Sequence, residues 1–393
     1  MVQSFTFAKP PRIVFGAGKF SEVPKLVRKF GEMVLIVTGG SSFQASTEWE
    51  SLIKALDTDG VNHYHLSVER EPSPELVDKA VTEFRDAHIN VVLACGGGSV
   101  MDAGKAISAM LPKKESVLNY LEGIGTGAPH DGSKIPFIAV PTTAGTGSEA
   151  TKNAVLSKPG RGGFKKSLRH DKFVPDVAVL DPLLTVSCPP HVTAASGLDA
   201  FTQLLESYVS KNASPMTDAL ALSGLECAAR CLLPACTNGA KDVSVRAGMT
   251  YAALISGITL ANAGLGVVHG LASPIGALFD APHGVVCGTL VGTATSATIK
   301  KLLSQHGARH PSLRKYARVG FIIHGRQEGD TAEGCELLLR KVSEWVEILK
   351  IPRLGAYGIH EEDLNDIAAQ PDNKSNPAAL DRNEVLEVLL MRL

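Results

Sequence analysis

Short apolar runs alternate with amphipathic stretches through the first half of the chain. Several of these runs lead into glycine- or proline-rich turns, which is typical of buried strands. We predict strands within 33–40, 62–68, 89–99, 135–151 and 175–182. The stretches between them carry apolar residues at helical spacing, and we predict helices at 47–60, at 73–88 with Ser73 as its N-cap, and up to Met110. This alternation predicts a parallel sheet covered on both faces.

The pattern changes near residue 190, after Cys188-Pro189-Pro190. From there on, long segments have apolar residues at helical spacing, and few runs resemble strands. We therefore predict an α/β domain over residues 1–186 and an all-helical domain over residues 187–393. The glycine-rich, basic segment 157–166 is predicted to form a hairpin or a flexible loop over the cleft.

The composition is that of a globular chain without a charge excess. Its 393 residues are 44% apolar and 20% charged, and the net charge of −1 gives no attraction to nucleic acid or to an anionic membrane. The seven scattered cysteines indicate reduced thiols in a cytosol-like compartment. The N-terminal segment lacks the apolar core of a signal peptide, and no apolar stretch is predicted to reach the length of a membrane span. We therefore expect a cytoplasmic protein.

A glycine loop between a predicted strand and a predicted helix is a candidate phosphate site. The sequence GGGSVMD occupies 96–102. Glycines let the backbone approach a phosphate closely, and a helix start offers free N–H groups and the positive end of its dipole. Gly97, Gly98 and Ser99 are therefore candidates for holding a dinucleotide pyrophosphate. The alternative is a tight turn without a ligand, since the segment is neither GxGxxG nor a Walker A loop.

A second polar loop follows the strand predicted within 135–151. The sequence PTTAGTGSEA at 141–150 places the hydroxyls of Thr142, Thr143, Thr146 and Ser148 between glycines. Turns rich in serine and threonine are common without a function. Beside the first glycine loop, however, these hydroxyls are candidates for contacting phosphates or ribose.

The end of the strand at 33–40 bears on the choice between NAD and NADP. In dinucleotide-binding folds, an acidic residue at such a strand end binds the ribose hydroxyls of NAD. Here the sequence TGGSS at 38–42 has Gly39, with Ser41 close by, and no carboxylate that would repel a 2′-phosphate. The segment favours NADP, although residues distant in the sequence could reverse this preference.

One carboxylate and two imidazoles form a candidate metal site. Asp199 opens the helical segment GLDAFTQLLESY at 197–208, and Gln203 follows one turn later on the same face. His269 and His283 each lie on a glycine-bounded segment. Three such ligands suit a metal that keeps an open position for substrate. The alternative is a structural role for each of these side chains.

The motifs that carry a family resemblance run in order over nearly the whole chain. They are IVFGAGK at 13–19, CGGGSVMDAGK at 95–105, PTTAGTGSEATKNAV at 141–155, PDVAVLDP at 175–182, GLDAF at 197–201, PMTDALAL at 215–222, GLGVVHGLASPIGALFDAPHGV at 264–285 and NP at 376–377. Together they resemble the iron-containing (group III) alcohol dehydrogenase family.

The resemblance implies a Rossmann-like dinucleotide-binding α/β domain followed by an all-α domain, in a dehydroquinate synthase-like architecture with the active site in the cleft. It implies alcohol–aldehyde or ketone chemistry on small molecules, with NADP or NAD and a divalent metal, iron or zinc, in a homodimer or larger homo-oligomer. The cofactor residues implied by motif position are Gly97, Gly98, Ser99, Asp102, Thr142, Thr143, Thr146, Asn153 and Lys165. The implied metal ligands and catalytic residues are Asp199, His269 and His283.

Two departures from the family pattern concern the metal. The resemblance implies a histidine four residues after the ligand aspartate, and this chain has Gln203, a doubtful ligand. A second histidine is implied four residues after His269, and this chain has Ser273. The three remaining ligands resemble the set of the zinc-dependent glycerol dehydrogenase branch.

Three alternative functions stay open at this point. The first is a metal-independent reductase on the same scaffold, similar to maleylacetate reductase, in which Gln203 binds substrate directly. The second is a dinucleotide-binding protein without catalytic activity, although the retained aspartate and histidines argue against it. The third is a lyase similar to dehydroquinate synthase, for which the basic residues between Arg161 and Arg169 would supply charge.

Overall fold

The computed structural model describes residues 4–369 and 372–393. The strands are β1 (Arg12–Phe15), β2 (Met33–Thr38), β3 (Asn62–Ser67), β4 (Val91–Gly96), β5 (Phe137–Pro141), β6 (Asn153–Lys158), β7 (Phe164–Arg169) and β8 (Val177–Leu180). The helices are α1 (Val23–Arg28), α2 (Thr47–Thr58), α3 (Pro74–Phe84), α4 (Gly98–Met110), α5 (Pro190–Val209), α6 (Pro215–Cys236), α7 (Val243–Ala263), α8 (Val267–Leu278), α9 (His283–His306), α10 (Pro311–Ile323), α11 (Thr331–Ile348), α12 (Leu364–Ile367) and α13 (Arg382–Leu390).

Six strands form a parallel sheet in the order β1-β8-β5-β4-β2-β3. The chain runs from β2 outward to β3 and returns on the other side of β2 as β4, so the strand order reverses between β2 and β4. Thr38 at the end of β2 lies opposite Ser67 of β3 and Cys95 of β4, and Gly96 lies opposite Pro141 of β5. The loops after these strands therefore meet at one edge, where sheets of this kind bind ligands.

Both faces of this sheet are buried. On β2, Leu35 and Val37 pack with α3 and α4, whereas Val34 and Ile36 pack with α1 and α2. This alternation follows from the two-residue period of a strand. It also explains why the strands have continuous apolar sequences, since a parallel sheet covered on both sides exposes neither face.

Strands β6 and β7 form a separate antiparallel hairpin beside the sheet. The basic segment predicted at 157–166 is a hairpin, with Lys158 opposite Phe164. Ala154, Leu156 and Leu168 of the hairpin are buried in the same cluster as α3 and α4. The hairpin is therefore anchored to the sheet domain rather than mobile over it.

Helix α5 runs through the centre of the second half of the chain. Every residue from Gly197 to Val209 is buried, and α6, α7 and α9 pack around the helix. Three polar residues of this helix, Asp199, Gln203 and Glu206, are thereby withdrawn from water. A helix buried on all sides carries such residues only where other groups satisfy them.

Among the described residues, two helices are long and apolar enough to span a membrane by length and composition. They are α6, with a mean hydropathy of 1.4, and α7, with 1.3, so the prediction that no stretch reaches this length is wrong. Both helices pack against α5, and 33% of the apolar window of α6 and 61% of that of α7 are buried within the chain. A core helix satisfies the same criterion as a membrane span.

The predicted fold class is confirmed, with a parallel Rossmann-like sheet first and helices from Pro190 onward. The Oγ of Ser73 accepts a hydrogen bond from the N–H of Leu76 at 3.2 Å, so the predicted N-cap of α3 is confirmed as well. The division into domains at residues 186 and 187 stays a prediction. It falls between the end of β8 and the start of α5.

A buried lysine fastens α4 to the loop after β5. The side chain of Lys105 is 1% exposed, and its Nζ donates hydrogen bonds to oxygens of Ser148, Thr151 and Asn153 at 2.8–3.1 Å. Burial lowers the pKa of Lys105 to about 8. The Asp102 carboxylate lies 4.0 Å from this ammonium and accepts a hydrogen bond from the Ser148 hydroxyl at 2.5 Å. This network fixes the helix that follows the glycine loop.

We expect the substitution Lys105→Met to destabilise the fold by about 3 kcal/mol, because it leaves buried oxygens without a donor and Asp102 without its countercharge. Urea denaturation followed by circular dichroism measures the free energy of unfolding. Lys54→Met, at an exposed position of α2, makes the same chemical change and should alter this free energy by less than about 0.5 kcal/mol. Equal stabilities of the two variants would contradict the anchoring role.

Candidate metal and cofactor site

A cleft of about 1720 Å³ lies between the carboxyl edge of the sheet and the helices after residue 190. Of the residues that the sequence analysis singled out, the cleft is lined by Gly97, Gly98, Ser99, Asp102, Thr143, Thr146, Ser148, Asn153, Lys165, Asp199, Gln203, His269, Ser273 and His283. Gly39, Ser41 and Thr142 are not among its lining residues. The fold therefore brings the glycine loop and the candidate metal ligands, about a hundred residues apart, into one cleft.

The glycine loop and the loop after β5 are in direct contact. Gly97 is the N-cap residue of α4, so the free N–H groups of the first turn lie at the cleft. A Cβ on Gly98 would lie 2.6 Å from Cγ2 of Thr146, and a Cβ on Gly97 would lie 3.4 Å from Oγ1 of Thr143. Position 98 therefore admits no side chain, and the two threonine hydroxyls stand beside the helix start. Such an arrangement is suited to holding phosphates.

The end of β2 has open space at Gly39. The Ser67 hydroxyl donates a hydrogen bond to the carbonyl oxygen of Gly39 at 3.1 Å, and Ser67 lines the cleft. A Cβ on Gly39 would meet only Cγ2 of Val100, at 3.8 Å, and the backbone of Gly39 does not have a positive φ. Neither the backbone conformation nor the packing requires a glycine here. The lack of a carboxylate at this strand end is therefore not imposed by the fold.

The three predicted ligands converge at the floor of the cleft. Asp199 comes from α5, His269 from the first turn of α8, and His283 from the first residue of α9. The Oδ1 of Asp199 lies 3.3 Å from Nε2 of His269 and 3.8 Å from Nε2 of His283. Asp199 and His269 are buried, and His283 is half-buried. The carboxylate and both imidazoles thus present their ligating atoms to one point.

Cys287 is a fourth member of this cluster that the sequence analysis missed. It lies one turn after His283 on α9, and its Sγ is 3.7 Å from Nε2 of His283 and 3.6 Å from Nε2 of His269. The ligating atoms of all four side chains lie within 4.8 Å of one another. The spacing of four residues between His283 and Cys287 is a signal that was present in the sequence.

Glu206 was also missed, and it holds His269 from behind. Its Oε2 lies 2.7 Å from Nδ1 of His269, and its Oε1 accepts a hydrogen bond from the N–H of Val268 at 2.7 Å. An imidazole that donates Nδ1–H to a carboxylate turns its Nε2 toward a metal, as in many metalloproteins. Glu206 lies seven residues after Asp199, on the same face of α5.

The groups around His269 and its burial shift its pKa in opposite directions. Burial alone lowers the pKa of His269, but the neighbouring Cys287 sulfur and the Glu206 and Asp199 carboxylates outweigh this effect and raise the pKa well above its usual value. Burial lowers the pKa of His283 to about 4. Burial also raises the pKa of Cys287 to about 11. The Asp199 and Glu206 carboxylates thus flank the two ring nitrogens of His269.

Gln203, the doubtful ligand, makes a hydrogen bond away from this cluster. Its Oε1 accepts a hydrogen bond from the Ser256 hydroxyl of α7 at 2.7 Å. Only the amide oxygen of glutamine has a lone pair for a metal. Because that oxygen is turned toward α7, the structure gives no support to Gln203 as a metal ligand.

Lys165 reaches the cleft, as its motif position implied, but it is paired there. Its Nζ lies 2.5 and 2.7 Å from the two carboxylate oxygens of Glu71, a residue that the sequence analysis did not single out. The Lys165 side chain is buried and packs against Gly276 of α8, where a Cβ would lie 2.9 Å from its Cδ. The Glu71 carboxylate therefore neutralises this lysine beside the metal cluster.

Protein-family models match both halves of the chain. The model described as "Iron-containing alcohol dehydrogenase" matches residues 10–182, and the one described as "Fe-containing alcohol dehydrogenase family, C-terminal" matches residues 193–393. Long-chain-alcohol dehydrogenase 1 of Geobacillus thermodenitrificans is 37% identical over 277 residues, which is 70% of this chain and 69% of the relative.

Two further proteins match over nearly the full length. NADPH-dependent butanol dehydrogenase of Clostridium saccharobutylicum is 29% identical, over 97% of this chain and 96% of the relative. The structure of sulfoacetaldehyde reductase from Bifidobacterium kashiwanohense in complex with NAD⁺ superimposes with a TM-score of 0.84 at 27% identity, over 99% of both chains. These matches confirm the predicted dehydroquinate synthase-like architecture.

We expect the substitution Glu206→Gln to lower the affinity for zinc or iron by about 10- to 100-fold, because it removes the charge that orients His269. Competition with a chromogenic chelator measures the affinity without reference to activity. The control is Glu226→Gln, the same change at an exposed position of α6, which should leave the affinity unchanged. Equal metal affinities of the two variants would contradict the orienting role of Glu206.

Proposed function

Because this chain belongs to the iron-containing alcohol dehydrogenase family, we propose that it transfers hydride between alcohols and C4 of a nicotinamide, with NADP preferred over NAD and a metal at Asp199, His269 and His283. The coarser function follows from the family: the chain is an NAD(P)-dependent alcohol dehydrogenase, acting on CH–OH groups or on the corresponding aldehydes and ketones. The cofactor preference and the role of the metal rest on the site.

One observation carries the proposal. The loop at Gly97 and Gly98, suited to a dinucleotide phosphate, and the ligand cluster around Asp199 line the same cleft. Hydride transfer requires the nicotinamide and the group that polarises the substrate oxygen to act on one molecule. A cleft with a phosphate site on the sheet side and a cation site on the helical side meets this requirement.

The residues at the cluster fit a divalent metal. A carboxylate and two imidazoles are ligands for zinc and iron. The Oδ1 of Asp199 lies 3.3 Å from Nε2 of His269 and 3.8 Å from Nε2 of His283. When bound, the metal supplies Lewis acidity toward the substrate oxygen. The protein residues position the metal. Asp199 would bind it from α5, and Glu206 keeps the Nε2 of His269 directed at the site.

The preference for NADP is supported by the end of β2. Gly39 and its neighbours carry no carboxylate that would repel a 2′-phosphate, and hydroxyls stand nearby, including that of Ser67. Ser41 remains a candidate on sequence position alone. A Cβ on Gly39 would meet only Cγ2 of Val100, at 3.8 Å, so the packing does not exclude an acidic side chain at this position.

We further infer that the protein works in the cytoplasm as a homo-oligomer, without nucleic-acid or membrane partners. The balanced charge and the seven free cysteines support this inference. The homo-oligomer is supported by Ile13 and Phe15, two apolar side chains that are exposed on the edge strand β1. The proposed domains are residues 1–186 for the cofactor and residues 187–393 for the metal and substrate.

We expect Asp199→Ala to abolish metal retention and to lower kcat/KM for aldehyde reduction about a thousandfold, which is about 4 kcal/mol of the barrier. Plasma mass spectrometry measures the metal, and NADPH oxidation measures the rate. Asp57→Ala, at an exposed position of α2, should behave as the unaltered protein. Near-normal turnover by metal-free Asp199→Ala would favour the metal-independent reductase, in which Gln203 contacts substrate.

We expect Gly39→Asp to shift the ratio of kcat/KM for NADPH to that for NADH by at least about tenfold toward NADH. The reason is the repulsion between the new carboxylate and a 2′-phosphate. Gly39→Ala adds a Cβ without charge and should change the ratio little, since the site has room for it. A wild-type enzyme that prefers NADH, with a ratio unaffected by Gly39→Asp, would overturn the NADP preference.

A further inference from the structure

We propose that the sulfur of Cys287 is the fourth protein ligand of the metal and makes this a zinc-selective centre. This inference rests on the proposed function, since it concerns the same metal. It goes beyond it by adding a ligand that the motif positions do not imply. It also assigns the identity of the metal, because an aspartate and two histidines alone can bind either zinc or iron.

The first support is the position of the thiol. Cys287 lies on α9 one turn after His283, so both side chains leave the helix on the same face. Its Sγ lies 3.6 Å from Nε2 of His269 and 3.7 Å from Nε2 of His283. Cys287 is 0% exposed, and its sulfur is directed at the ligating nitrogens rather than into the apolar core alone.

The second support is the shape of the cluster. Bond lengths of about 2.3 Å to sulfur and about 2.0–2.2 Å to nitrogen and oxygen, at tetrahedral angles, separate sulfur from nitrogen by about 3.6 Å and nitrogen from oxygen by about 3.4 Å. The sulfur–nitrogen distances are 3.6 and 3.7 Å, and the oxygen–nitrogen distances are 3.3 and 3.8 Å. These four distances fit a zinc ion held by the four side chains, to which the substrate oxygen would add as a fifth ligand.

The third support comes from Gln203 and from the second nitrogen of His283. The amide oxygen of Gln203 accepts the hydrogen bond from Ser256, so α5 offers the metal only Asp199. The Nδ1 of His283 is buried and has no hydrogen-bond partner among the described residues. The Nε2 of this histidine is then the nitrogen that faces both Asp199 and Cys287.

Sulfur as a ligand changes which metal the site selects. A thiolate is a soft ligand that favours zinc over the harder iron(II). On binding zinc, the Cys287 thiol forms a zinc–sulfur bond and releases its proton to solvent, so no oxidant or reductant is needed. The site would then hold zinc although the family is described by iron.

Cobalt(II) substitution tests the sulfur ligand without measuring activity. We expect the wild-type protein, stripped of metal and loaded with cobalt(II), to show an intense sulfur-to-cobalt charge-transfer band in the near ultraviolet. In Cys287→Ala this band should disappear while the weaker visible bands of bound cobalt remain. The control Cys335→Ala removes another buried thiol, on α11 and outside the cluster, and should retain the band.

Metal selection is measured in the same preparations. We expect zinc to displace iron(II) from the wild-type protein in an anaerobic competition, and Cys287→Ala to lose at least about tenfold in zinc affinity. Cys287→Ser keeps the size of the side chain and should lose the charge-transfer band as well. The wild-type spectrum decides the question even if both variants misfold.

Two outcomes would overturn the inference. One is wild-type protein with bound cobalt(II) but no charge-transfer band, and the other is a band that persists in Cys287→Ala. Failure of the proposed function has a different signature. A protein that shows the sulfur band but reduces no aldehyde with NADPH keeps Cys287 as a ligand and loses the dehydrogenase proposal.

Discussion

Two carboxylates buried on one helix constrain the whole site. Asp199 and Glu206 lie on the same face of α5 and are 1% and 7% exposed, in a part of the molecule where unpaired charge is costly. His269 bridges them through its two ring nitrogens. Both carboxylates therefore require a polar partner, and His269 supplies one to each. The first turn of α8 is positioned by the same requirement, because Glu206 also accepts the N–H of Val268.

The sheet supplies the other half of the cleft by a separate physical route. Its strands need only to be apolar and short, and the reversal of strand order between β2 and β4 then places their carboxyl ends at one crevice. Contact between Gly98 and Thr146 holds the two loops together there. Lys105 of α4 also links this helix to the segment after β5, because its Nζ donates hydrogen bonds to the carbonyl oxygens of Ser148 and Asn153.

The strands, the helices and the glycine loop were predictable, because each depends on a local pattern of apolar residues or on turn chemistry. The site was predictable only in part. Cys287 was readable from its spacing to His283, but a cysteine in an apolar helix is usually a core residue. Glu71 could not be inferred, because its pairing with Lys165 joins residues 94 positions apart. The direction of Gln203 depends on Ser256 of α7, which no pattern along α5 reveals.

The departures of this chain are consistent with one another when the four ligands are considered together. Asp199 and a Cys287 thiolate carry two negative charges, which balance a divalent cation, and Glu206 is then balanced only through the polarised ring of His269. Such a centre is less electropositive than one with three imidazoles. It still suits alcohol dehydrogenase chemistry, because zinc held by thiolate and imidazole serves in other alcohol dehydrogenases. With Gln203 at the position where the family resemblance implies a histidine, the proposed centre takes its fourth ligand from α9 instead of α5.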